Sequence, residues 1–190
     1  MTEEALLGLI KGFRRELHLI PEMGNSEYET SAYIEREMRA ARPDKAQKMA
    51  GTGWKFVFSC GRPSCGALAF RADIDGLPVV EISIYPHPSQ HKGMMHACGH
   101  DGHMSALLAL GRIVSGLRDA GALKADVVLL FQPAEETTGG AARMIEEGAL
   151  EDPHVSAVFG FHLMPLYDVG TIALSTGGVM AANTEFDLTF

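Results

Sequence analysis

The sequence predicts an α/β protein, a three-layer α/β/α sandwich around a mixed, largely parallel sheet. Three observations carry that expectation. Apolar runs of strand length, Ala125 to Phe131 and Val155 to Phe161, read as strands buried on both faces. Segments with helical periodicity alternate with the strand-like ones. Residues of ligand type stand just past the runs, Glu135 and Glu136 after the first and His162 closing the second. Functional groups gather in that way at the carboxyl edge of such a sheet.

The elements follow in order. Leu6, Leu7, Ile10, Phe13, Leu17 and Ile20 recur at helical spacing, so a helix is predicted over the first twenty residues, ending near Pro21. A second helix is predicted from Ser26, with Glu29 completing a capping box, to about Arg42. Trp54 to Cys60 and Gly66 to Ala72 read as two strands of a hairpin, joined by the turn Gly61-Arg62-Pro63-Ser64. Ser105 to Leu117 is strongly helical, with Leu107, Leu108, Leu110, Ile113, Val114 and Leu117 on the apolar face. Ala141 to Gly148 reads as a short helix, and Ile172 to Ser175 and Glu185 to Phe190 as further strands. The last segment alternates like a strand and stops without a turn or cap, so an incomplete sheet is expected.

Bulk properties narrow the function. A chain of 190 residues, 46% of them hydrophobic, can bury one core. A formal charge of −8 argues against nucleic acid and against an anionic membrane surface, both of which favour a basic face. There is no run of about 18 apolar residues of the kind a membrane helix needs. The acidic start, Met1-Thr2-Glu3-Glu4, is unlike a signal peptide. Three cysteines, one inside a ligand-rich cluster, fit a reducing compartment, so a cytoplasmic location is expected.

The densest chemistry lies in Met95-His96-Ala97-Cys98-Gly99-His100-Asp101-Gly102-His103. A thiolate and an imidazole two residues apart can grip one transition-metal ion where the backbone is irregular, and Gly99 permits that. A lone cysteine is usually a small buried hydrophobe and a lone histidine a hydrogen-bonded one. Here leucine or valine would pack better and the glycines would be needless. Glu135 and Glu136, adjacent on an extended chain, would point apart and so divide two jobs, metal binding and general-base catalysis. The alternative is an ordinary solvated pair. Asp73 and Asp75 alternate onto one side at a strand end and are expected to orient a metal-bound imidazole, against the plainer alternative of an Asx turn. His103, one turn into the helix, is expected to support a ligand rather than be one. Asp101 is expected in a similar supporting role near a helix start that favours a carboxylate. Cys60 and Cys65 could pair locally, but packing is the preferred reading. Arg14, Arg15, His18, Pro21 and Glu22 read as a solvated polar strip.

Taken together, Phe13-Arg14-Arg15-Glu16-Leu17-His18 with Pro21-Glu22, Arg71-Ala72-Asp73-Ile74-Asp75-Gly76-Leu77-Pro78, the Met95 to His103 cluster, Phe131-Gln132-Pro133-Ala134-Glu135-Glu136, and Gly160-Phe161-His162 through Pro165 resemble a known family in order and spacing. It is the dinuclear metallopeptidase/amidohydrolase family of hippurate hydrolases, auxin-conjugate hydrolases, N-acyl-amino-acid amidohydrolases and N-acetyldiaminopimelate deacetylases. The resemblance implies a zinc-peptidase-like catalytic domain with Cys98, His100, Glu136 and His162 as metal ligands and Glu135 as general base. It also implies a pair of divalent ions, Mn²⁺ or Zn²⁺, clamping the scissile carbonyl and the attacking water. The Asp75 to Pro78 segment and residues 139–148 look closest to the N-acetyldiaminopimelate deacetylase and amino-acid N-acyl hydrolase branches.

Family members are longer. The resemblance therefore implies that residues 1–190 are the N-terminal part of the catalytic domain, stopping before the lid and dimerisation domain, with one ligand histidine and the substrate-carboxylate groups falling beyond Phe190. The expected activity is hydrolysis of the amide bond of small N-acyl amino acids, acetyl or benzoyl in type, with longer relatives acting as homodimers and no nucleic-acid or membrane partner. The alternative is a non-catalytic, truncated metal-binding remnant of such an enzyme. A redox or zinc-structural role for Cys98 is disfavoured, because Glu135, Glu136 and His162 would then have no task.

Overall fold

The computed structural model describes residues 2–62 and 66–178. Helix α1 (Glu3–His18) starts where the Thr2 hydroxyl accepts from the Ala5 amide at 3.3 Å, with Glu3 and Glu4 in the first turn favoured by the helix dipole. Helix α2 (Tyr28–Ala40) follows, but the Ser26–Glu29 capping box does not form. The Glu22 carboxylate takes over that job, accepting from the amides of Tyr28, Glu29 and Thr30 at 3.1, 3.1 and 2.9 Å. A carboxylate reaching back from outside the helix satisfies three orphan donors at once, more than a serine can.

Strands β1 (Lys45–Met49), β2 (Gly53–Phe58) and β3 (Ala67–Asp73) precede the long helix α3 (His100–Asp119). Strand β4 (Asp126–Gln132), the short helix α4 (Gly140–Glu146) and strand β5 (Val155–Gly160) complete the described elements. The sheet is mixed, in the order β1-β2-β4-β3-β5. Pairs β1/β2 and β2/β4 are antiparallel, and β3/β4 and β3/β5 parallel. The expected hairpin between β2 and β3 is therefore corrected, because β4 inserts between them and closes both ladders. Strand β1 went unanticipated. Its Lys-Ala-Gln-Lys-Met sequence is mostly exposed on an outer edge and carries no apolar alternation.

Alternation along β4 divides the core. Val127, Leu129 and Phe131 join Trp54, Phe56 and Phe58 beneath α1, α2 and α3, where Leu17, Ile34, Met38, Leu107 and Leu108 are almost fully buried. Val128 and Leu130 face the other way, with Val57, Ala67, Ala69, Val155 and Met144 of α4. A strand apolar on both faces thus sits between two helical layers, the predicted three-layer arrangement. Burying each large side chain contributes about 1.5–3 kcal/mol.

Two strand expectations need correction. Among the described residues strand β5 lies at the sheet edge rather than buried, with Val158 and Phe159 about half exposed. Residues 172–175 form no strand, and Ile172 and Leu174 are exposed, for a β ladder exists only where a neighbour supplies the hydrogen bonds. The expected strand at 185–190 and Cys65 lie outside the described residues. No helix among the described residues is long and apolar enough to cross a membrane.

For function the key feature is register. Asp73 of β3 pairs with Gln132 of β4, and Arg71 of β3 with Gly160 of β5. Three parallel strands therefore end along one edge, bringing together segments that begin at Asp73, Gln132 and Gly160.

Candidate metal centre

The turn before α3 supplies the first part of the site. Gly99 has φ +85°, a conformation costly for any residue with a Cβ, and it lets the chain double back between Cys98 and His100. A ligand atom from each of Cys98, His100 and Glu136 lies within 4.8 Å of the other two. His100 is buried at the floor, Cys98 and Glu136 are half-buried, and Glu135 is exposed at the rim. The Nδ1–H of His100 donates to the Asp75 carbonyl at 2.9 Å, which directs Nε2 into the site. That Nε2 stands 3.7 Å from Glu136 Oε1, 3.9 Å from Glu135 Oε2 and 3.6 Å from Asp73 Oδ2.

Glu135 and Glu136 do not lie on an extended chain and do not point apart. They follow Ala134, whose φ of +53° turns the backbone, and both approach His100 Nε2. The Glu136 amide donates to Asp75 Oδ2 at 2.9 Å, which ties this turn to the end of β3. His162 arrives from the end of β5, its Nε2 3.3 Å from Cys98 Sγ, while its Nδ1–H donates to the Leu163 carbonyl at 2.8 Å. The Leu163 side chain lies against Gly99 and Gly102, where a Cβ on Gly102 would collide with it. Two glycines thus admit the His162 segment over the start of α3.

The supporting residues divide. Asp73 accepts from His103 Nδ1–H at 2.6 Å and from Arg71 Nη1 at 2.7 Å, and Arg71 Nε donates to Gln132 at 2.7 Å. His103 Nε2 accepts from the Leu163 amide at 3.0 Å, so both its nitrogens are taken and it buttresses the His162 segment. Asp101, expected behind the ligands, faces away from them. It accepts from His18 Nδ1–H at 2.8 Å and pairs with Arg14 at 3.3 Å. The expected solvated strip on α1 is corrected with it. His18 is 4% exposed, Pro21 is buried and Glu22 caps α2, while Arg15 and part of Arg14 stay in solvent. Helical periodicity in a single segment does not show a polar partner arriving from residue 101.

Unmet hydrogen bonds and electrostatics describe the site further. Buried side-chain atoms without a partner among the described residues are His100 Nε2, Glu136 Oε1, Asp75 Oδ1 and both ring nitrogens of His96. Leaving such lone pairs unpaired is costly unless a cation fills the space between them. Burial, then the charges of Glu136, Asp73 and Glu135, pushes the Cys98 thiol up to about 12. A thiolate there requires a bound cation. Burial would raise Asp73, but the His103 hydrogen bond and the charges of His100 and Arg71 outweigh it and hold Asp73 down at about 2. Burial and the neighbouring charge of Glu136 raise Glu135 above the ordinary carboxylate value. Burial lowers His96 to about 4, keeping it neutral. The donor set of one thiol, imidazoles and carboxylates suits Zn²⁺ or Mn²⁺ in kind.

Arg71, Gln132 and His96 stand inside the motifs quoted above but had no role assigned to them there, and Glu27 lies outside those motifs. Arg71 stands two residues before Asp73 and so on the same side of the strand.

Known proteins share this arrangement of segments. The sequence profile of peptidase family M20/M25/M40 matches residues 69–189. An N-acetyl-L-cysteine deacetylase of Bacillus subtilis is 42% identical over 178 residues, covering 92% of this chain and 41% of that protein. An N-acetyldiaminopimelate deacetylase of Exiguobacterium sibiricum is 42% identical over 176 residues, covering 93% of this chain and 46% of that protein. A crystal structure of a dinuclear metal-binding peptidase of the M20 family from Bacillus subtilis superposes with a TM-score of 0.77 at 35% identity, covering 86% of this chain and 45% of that one. The chain spans less than half the length of the curated relatives it matches.

Proposed function

The chain belongs to peptidase family M20/M25/M40, and we propose that it is the metal-holding part of a hydrolase that cleaves the amide bond of a small N-acyl amino acid. The observation that carries this reading is the pair of orphaned buried atoms, His100 Nε2 and Glu136 Oε1, 3.7 Å apart beside Cys98. Residues 1–190 correspond in this reading to the N-terminal part of the catalytic domain, the lid and dimerisation parts belonging to the stretch of the relatives that this chain does not span. The deacetylase names of two relatives support an N-acyl, and in particular N-acetyl, substrate.

Cys98, His100, Glu136 and His162 would hold divalent metal, Mn²⁺ or Zn²⁺, as a pair of ions. When bound, such ions polarise the scissile carbonyl and lower the pKa of the attacking water. Everything else falls to the chain's own side chains. Asp75 holds His100 with Nε2 inward, and the Leu163 carbonyl does the same for His162. Asp73 fixes His103, which steadies Leu163 and with it the His162 segment. Glu135 stands at the solvent rim with its pKa raised, placed to take the proton of the attacking water and return it to the leaving amine. Its Oε2 stands 3.9 Å from His100 Nε2, beyond hydrogen-bond distance.

The test is release of free amine from a panel of N-acetyl and N-benzoyl amino acids with the chain loaded with Mn²⁺, repeated with Glu135→Gln. Turnover that falls by about 100-fold or more in the variant supports the reading. Metal binding without turnover in either protein would favour the alternative of a non-catalytic metal-binding chain.

A further inference from the structure

Glu27 is fully buried, yet no part of the mechanism above uses it. It occupies the N-cap position of α2, where serine, threonine, aspartate or asparagine normally binds the first amides of the helix. Glu27 makes no such bond, and Glu22 does the capping instead. Its carboxylate is directed across the molecule. Oε1 accepts from the Ala134 amide at 2.8 Å and Oε2 from the Thr52 hydroxyl at 2.6 Å. Ala134 is the residue before Glu135 and Glu136, and its φ of +53° lies in the left-handed region that alanine rarely adopts. Such a conformation persists only when its surroundings over-determine it.

Those surroundings are tight on several sides. The Ala134 carbonyl accepts from the amides of Gly139 and Gly140 at 2.9 and 3.2 Å. A Cβ on Gly140 would collide with the Pro133 carbonyl, one on Gly24 would come within 2.9 Å of Ala134 Cα, and one on Gly53 within 2.7 Å of Pro133 Cδ. Glu27 supplies the acceptor for the Ala134 amide, and both residues are shut off from bulk solvent.

We propose that Glu27 is a positioning residue, which aims the Glu135–Glu136 turn by holding the Ala134 amide. This rests on the reading of Glu136 as a metal ligand and Glu135 as the base. Glutamine at position 27 can keep both contacts, its carbonyl accepting from Ala134 and its amide donating to the Thr52 oxygen. Alanine can keep neither.

The experiment uses the full 190-residue chain and Co²⁺ alone, following the thiolate-to-cobalt absorption that Cys98 would give, at a temperature where circular dichroism shows each variant folded. Glu27→Ala is expected to weaken Co²⁺ binding by about 10–100-fold, the range for residues that orient ligands, and Glu27→Gln to stay within about threefold of the parent. A role confined to stability would lower the melting temperature and leave the affinity of the folded protein unchanged. A folded Glu27→Ala that binds Co²⁺ like the parent, with Glu136→Gln weakened, overturns the positioning role and leaves the ligand reading standing. Parent-like binding in Glu136→Gln overturns the ligand reading, and this inference with it. Should Glu27→Ala not fold, Thr52→Val frees the carboxylate from one side. A several-fold loss of affinity is then expected, and parent-like affinity overturns the proposal.

Discussion

His100 and Asp101 are neighbours at the start of α3, yet they enter two clusters of the same residue types with opposite fates. On the Asp101 side, His18 Nδ1 lies 2.8 Å from Asp101 and Nε2 3.3 Å from Glu81, while Arg14 adds a second cation to Asp101. The Ser89 amide satisfies the other oxygen of Glu81 at 2.7 Å. With a carboxylate at each nitrogen, His18 donates twice and is an imidazolium, its pKa raised chiefly by the Asp101 hydrogen bond. No buried polar atom of these four side chains lacks a partner. On the His100 side, Nε2 and Glu136 Oε1 are buried and unmatched. A saturated cluster ties α1, α3 and the loop carrying Glu81 together. An unsaturated one is a place for a cation. Residue type does not separate the two, but the direction of the lone pairs does.

The sharpest way to break that contrast is to remove one residue from each side. His100→Ala is expected to weaken Zn²⁺ binding by about 100-fold or more, as measured by chelator competition, while the metal-free protein keeps its stability to within about 1 kcal/mol. Asp101→Ala should do the reverse. Leaving His18 buried without its main partner costs about 3–5 kcal/mol, read from urea denaturation, with Zn²⁺ stoichiometry retained. Equal losses in both measurements for both variants would erase the distinction.

A pH series sharpens it. The folded pKa of His18 lies above its ordinary 6.5, so its contribution is fully present below that value and is lost as pH rises through the folded one. The urea midpoint of the metal-free protein should therefore decline as pH rises above about 6.5, and His18→Gln should flatten that decline. The smallest effect is expected at Gly102, where α3 meets Leu163. Alanine there gains about 1 kcal/mol of helix propensity but displaces the Leu163 side chain. Net stability should change by no more than about 1 kcal/mol. Zn²⁺ affinity should fall a few-fold as the His162 segment backs away. Unchanged affinity would show that Leu163 does not carry His162.

Much of this was legible in the sequence where a local pattern had a local cause. The apolar run at 125–131 became β4 because a strand buried on both faces must be apolar throughout. Gly99 between Cys98 and His100 announced the αL turn that it adopts. Asp73 and Asp75 both reach His100, at 3.6 Å from Nε2 and 3.4 Å from Nδ1, although the strand itself ends at Asp73. The failures have causes of another kind. Strand β1 is held by its ladder to β2, not by its own composition. Strands β2 and β3 are neighbours in the chain but not in the sheet, because β4, more than fifty residues further on, lies between them.

Local pattern suffices for the layered α/β class, the family, and which side chains have the chemistry to bind a metal, because periodicity and ligand type are properties of neighbouring residues. Tertiary structure alone decided which of those side chains are spent on one another. Whether a histidine keeps a free lone pair depends on what reaches it from distant segments. His18 meets Asp101 from eighty-three positions away and is saturated, while the His100 Nε2 meets only other acceptors and stays open. Glu27 looks like an exposed helix-start residue until the fold carries Ala134 to it across 107 positions. Hydrogen-bond satisfaction is settled by the whole packed molecule, and no local pattern encodes it.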